Sequence, residues 1–83
     1  MWPEWWEWEL GFTGHVQRRM EQRDVTEVDL RSMLQRAASY SPSVVENRFM
    51  IQTTHRGRPW IIIVEPDPEE RVLVIVTAYE SRR

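Results

Sequence analysis

A chain of 83 residues with a formal net charge of -2 and no cysteine has material for one hydrophobic core, because a chain this short buries only about 60–65% of its unfolded surface. Without thiols there are no disulfides and no thiolate metal sites, which fits a reducing, cytoplasmic setting. The acidic balance excludes recruitment of a polyanion by whole-molecule charge, so any nucleic acid would have to meet a local basic face.

The N-terminus, Met1-Trp2-Pro3-Glu4-Trp5-Trp6-Glu7, is acidic and aromatic, the opposite of a secretory leader. The longest apolar runs, Trp60–Val64 and Val72–Val76, are far below the roughly 20 residues of a membrane-spanning helix, so no membrane partner is expected. Trp6, Trp8, Leu10 and Phe12 alternate with Glu7, Glu9 and Gly11, which predicts a first strand over residues 5–11. From Thr13 to Arg23 the spacing turns helical, with Val16 and Met20 on one face and His15, Arg19 and Arg23 at successive i,i+4 positions. Thr26 then reads as an N-cap with Asp29 as its capping-box acid and Val25 and Leu30 as a hydrophobic staple. Leu30, Met33, Leu34 and Ala37 extend this second helix to an end near Ala38, ahead of Tyr40-Ser41-Pro42.

A short strand around Ser43–Val45 would precede a longer one in which Phe49, Ile51, Thr53 and His55 share a face. Arg56-Gly57 is a tight hairpin turn into Trp60–Glu65. Pro66–Glu70 is a second turn, and Arg71–Glu80 is a strand apolar on both faces, which belongs inside a sheet. The predicted fold is one α+β domain over residues 1–83: an N-terminal strand, two helices, then an antiparallel three- to four-stranded meander with the helices on one face. The other face must then be polar, ligand-occupied or covered by another chain, including a second copy in a homodimer.

Three constellations could carry chemistry. In the row His15, Arg19 and Arg23, an imidazole that titrates near neutrality stands beside guanidinium groups able to hold a phosphate; a helix brace with surface ion pairs explains the same spacing. The turn with His55, Arg56 and Arg58 offers a second histidine and a basic surface for RNA, or an ordinary solvated hairpin, and Arg48 is a further candidate RNA contact. Tyr79, at the end of the last strand, could orient a ribose, though packing explains it equally. All eleven basic residues are arginine, which suits bidentate phosphate contacts and equally a GC-rich codon bias. With no phosphate-binding glycine loop and no metal-ligand spacing, no cofactor or metal is expected.

The stretch His15-Val16-Gln17-Arg18-Arg19-Met20-Glu21-Gln22-Arg23-Asp24-Val25-Thr26, followed by a meander ending in Thr77-Ala78-Tyr79, resembles a family of small bacterial domains of unknown function that is similar to the RelE and BrnT toxins. The resemblance covers residues 5–80. It implies a RelE-like fold and the toxin component of a type II toxin–antitoxin system, a metal-independent endoribonuclease (mRNA interferase) partnered by a cognate antitoxin. Carried over, His15 is the acid or base, Arg19 and Arg23 clamp phosphate, and Tyr79 contacts ribose or phosphate. The absence of lysine and the acidic charge depart from the ribosome-dependent members. A non-catalytic interaction module or enzyme inhibitor on the same fold is the alternative, favoured by the Trp-rich start and the doubly apolar last strand.

Overall fold

The computed structural model describes residues 2–81. A short 3-10 helix, Glu4–Glu7, leads into β1 (Glu9–Phe12), α1 (Gly14–Arg23), α2 (Glu27–Gln35), β2 (Ser39–Pro42), β3 (Phe49–His55), β4 (Arg58–Asp67) and β5 (Val72–Glu80). The sheet order is β1-β5-β4-β3-β2. Strands β2 to β5 form an antiparallel meander, and β1 joins it parallel to β5. The molecule is therefore an α+β fold on a five-stranded mixed sheet.

Residues 5–11 do not form one strand. Trp5 and Trp6 both turn toward Tyr40 and Phe49, with Trp5 5.0 Å from Phe49 and Trp6 5.9 Å from Tyr40. Two adjacent rings reach one cluster from a tight turn and not from a pleat, whose neighbours point to opposite faces. Arg31 of α2 fixes the transition by donating to the carbonyls of Trp6 and Trp8.

Both helix starts follow the local rules. The Thr13 hydroxyl accepts from Val16 N–H, and at α2 the Thr26 hydroxyl accepts from Asp29 N–H while the Asp29 carboxylate accepts from Thr26 N–H. That reciprocal bond from the Thr26 backbone holds the Asp29 carboxyl below the ordinary carboxylate range, with further lowering from the Thr26 side chain, His55 and Arg56 against some desolvation. A carboxyl depressed in the fold stabilises it above the unfolded value of about 3.9 and loses that contribution as pH falls through the lower folded value. Asp29→Asn is therefore expected to flatten the decline in thermal midpoint below about pH 4. Thr26→Ala is expected to cost about 1 kcal/mol in urea unfolding at neutral pH.

α2 stops at Gln35, short of Ala38, because the chain is already recruited to the sheet edge: Ala38 N–H donates to the Gln52 carbonyl. The edge strand is Ser39–Pro42, and Ser43–Arg48 is the turn that follows it, not a strand. Pro66 and Asp67 extend β4 instead of opening the next turn, pairing with Leu73 and Val72.

The helices cover the face bearing Ile51, Ile62, Val64, Leu73 and Ile75, all fully buried, together with Val16, Leu30, Met33 and Leu34. Thr53, buried on this face, donates its hydroxyl to the Met33 carbonyl. β5 is an interior strand, flanked by β1 and β4, as its double-sided apolar pattern requires. The opposite face carries Met50, Ile63, Val72 and Val74, all half-buried, and no helix covers it.

Candidate active site

Beyond the ends of the helices, the β3–β4 hairpin and the last residues of β5 enclose a cleft of about 600 Å³. Its walls are Arg23, His55, Arg56, Arg58, Trp60, Tyr79 and Glu80. Register explains the assembly. His55 pairs across the sheet with Arg58, and Trp60 pairs with Glu80, so the members of these two cross-strand pairs share the helix-side face.

A register shift between Ile63 and Val64 decides which residue of β5 joins them. Before it, Leu73 and Ile75 face the helices; after it, Ala78 and Glu80 do, so the inward parity changes from odd to even. Simple alternation continued from Leu73 would have turned Tyr79 inward and Glu80 out. With the bulge, Tyr79 pairs with Ile61 on the uncovered face and is 38% exposed. Tyr79 thus stands at the cleft margin, and Glu80 supplies the carboxylate that the sequence reading missed.

The charges are arranged as a partly paired set. Arg58 donates to Glu80 at 3.0 Å, and Arg56 lies 3.8 Å from Asp24. Arg23, at the last turn of α1, makes no ion pair among the described residues. All three arginines are exposed, so their guanidinium groups are free to rearrange around an anion at little cost. His55 is only 7% exposed and packs edge-on against Trp60 at 5.5 Å. Its Nε2 is buried and meets no hydrogen-bond partner among the described residues. Leaving a polar nitrogen unpaired inside a fold costs about 1–3 kcal/mol.

The turn itself is strained in the same place. Arg56 and Gly57 have φ of 54° and 76°, the two-residue type I′ geometry that Asn-Gly satisfies best and arginine poorly. Arg56→Asn is expected to raise stability by about 0.5–1 kcal/mol. If the guanidinium contacts a phosphate, the same variant also lowers the slope of RNA affinity against salt by about one charge. Urea unfolding and a salt titration of RNA binding read the two effects separately.

The three constellations of the sequence reading are thus redistributed. Arg23, His55, Arg56 and Arg58 meet around one cleft, with Tyr79 at its margin. His15 and Arg19 are exposed on α1 and do not line it. Only the last member of the helical row reaches the cleft, because each i,i+4 step moves about 6 Å along the axis. Arg48 sits at the other end of β3, bonded to Glu65 at 2.8 Å. Among the described residues no group of three or more His, Asp or Glu side chains is placed to hold a metal ion, and no helix is long and apolar enough to cross a membrane.

A family model described as a domain of unknown function, DUF4258, matches residues 12–80. The chain belongs to that family. The DUF4258 match runs from the last residue of β1 to the last residue of β5, so it takes in every wall of the cleft and leaves out Trp2–Gly11. No curated protein and no solved structure matches the chain.

Proposed function

We propose that this DUF4258 domain is a metal-independent endoribonuclease of the toxin type, related to RelE and BrnT, and that the cleft is its active site. The observation that carries the reading is the convergence of an imidazole, a carboxylate and three guanidinium groups on one mononucleotide-sized cleft. Glu80, released from Arg58 when the arginine turns to phosphate, takes the proton of a ribose 2′-hydroxyl. The 2′-oxygen forms a bond to phosphorus as the bond to the 5′-oxygen breaks, and the imidazolium of His55 protonates that leaving oxygen. Arg23 and Arg58 hold the equatorial oxygens while charge builds on the pentacoordinate phosphorus. The products are a 2′,3′-cyclic phosphate and a 5′-hydroxyl. The helical row of His15 and Arg19 lies outside this mechanism.

The reading is tested by inducing the wild type and an Arg23→Ala, Arg58→Ala double variant in a bacterial host and mapping RNA ends, with circular dichroism on both proteins. Growth arrest with new 5′-hydroxyl ends is expected from the wild type alone. Equal arrest by both proteins, or arrest without new RNA ends, contradicts it.

A second reading, a non-catalytic interaction module, is favoured by the uncovered sheet face around Met50, Ile63, Val72 and Val74. In the toxin reading the same face suits a cognate antitoxin, since apolar surface of this kind is usually covered by a partner chain.

A further inference from the structure

The ends of β3 carry opposite charge. The strand spans Phe49 to His55, so its ends are about 20 Å apart. At the His55 end stand the arginines of the cleft. At the Phe49 end, the 3-10 helix, the Ser43–Arg48 turn and the β4–β5 turn present Glu7, Glu46, Glu69 and Glu70, all exposed and without an ion pair among the described residues. The two arginines at this end are already engaged, Arg48 with Glu65 and Arg71 with Glu4.

Apolar side chains stand exposed at this same acidic end. Val44 is 102% and Val45 47% exposed at the tip of the β2–β3 hairpin, and Trp2 is 44% exposed. They are held in place, not loose. Ser43 N–H donates to the Arg48 carbonyl and Arg48 N–H to the Val45 carbonyl, with Asn47 in the left-handed region at φ 69°. Trp2 stacks on Trp6 at 4.4 Å and lies 5.4 Å from Tyr40, two residues before the proline that ends β2. Trp2 lies outside the DUF4258 match.

We propose that this end is a docking surface for a protein segment that is apolar at its centre and basic at its rim, a Lys- or Arg-bearing amphipathic helix. The valines and Trp2 take the apolar face, and the four free carboxylates take the cations around it. The same carboxylates repel anionic lipid and RNA, which separates this end from the cleft in both position and chemistry. The proposal does not depend on the cleft being catalytic.

The test uses the full chain and an 18-residue leucine–lysine peptide that forms an amphipathic helix, with its leucine–glutamate counterpart as control. Calorimetry and amide chemical-shift mapping are expected to show saturable binding of the lysine peptide alone, with shifts centred on Trp2, Tyr40 and residues 43–48. A Val44→Ser, Val45→Ser double variant, which alters only exposed side chains, and Glu46→Lys are each expected to weaken binding at least tenfold. The double variant is expected to leave RNA cleavage unchanged. No saturable binding, shifts scattered over other acidic surface, or equal affinity in the variants overturns the proposal. Dimerisation that the double variant abolishes gives the surface to a second copy of the chain, and binding to anionic vesicles gives it to lipid; either result also overturns it.

Discussion

Replacing His55 by glutamine is expected to lower RNA cleavage by about 10²–10⁴-fold while circular dichroism remains that of the wild type. Glutamine keeps a polar side chain of similar reach against Trp60 but cannot deliver a proton to the leaving 5′-oxygen. Glu80→Gln is expected to give a comparable fall, because the group that takes the 2′-hydroxyl proton is lost. Unchanged rates in both folded variants would mean that the two groups do not exchange protons with substrate. His15→Ala is expected to retain cleavage, since His15 does not line the cleft; this separates the cleft assignment from the one that the family resemblance implies.

Truncating Leu73 to alanine is expected to cost about 2–5 kcal/mol. Leu73 is fully buried and joins three strands, pairing with Leu10 of β1 and Pro66 of β4. Native chains of this size are stable by only about 4–12 kcal/mol, so this loss is a large part of the total. Urea unfolding reads it as a lowered midpoint with little change in slope. A loss below about 1 kcal/mol would show that β5 is not the centre of the core.

The parts of this fold that could be read from the chain are those set by neighbours in sequence. Thr26 and Asp29 cap a helix through bonds three residues apart, and Phe49, Ile51, Thr53 and His55 share a face because strand geometry repeats every two residues. The Trp-rich start misleads because burial of Trp6 mimics one phase of a strand, while the partner that draws both Trp5 and Trp6 inward, Tyr40, lies more than thirty positions away. The parallel pairing of β1 with β5 is likewise invisible locally.

The cleft divides in the same way. His55, Arg56 and Arg58 are adjacent in the chain, and the turn between them is legible. Arg23 and Glu80 join them only through the α1–α2 turn and the β4–β5 register. The bulge at Ile63/Val64 has no marker in a run of consecutive apolar residues, and by reversing the parity of β5 it exchanges the roles of Tyr79 and Glu80. A single unpaired residue therefore decides that the carboxylate of Glu80 faces the helix side of the cleft while the phenol of Tyr79 stays at its margin.

Cleavage of RNA through its 2′-hydroxyl, as proposed for the cleft, is tested by incubating purified protein with a single-stranded RNA and with the DNA of the same sequence, both in excess EDTA. Cleavage of the RNA alone, ending in a 2′,3′-cyclic phosphate, and none by Glu80→Gln is the expected result. An intact RNA, or cleavage of the DNA as well, would contradict it.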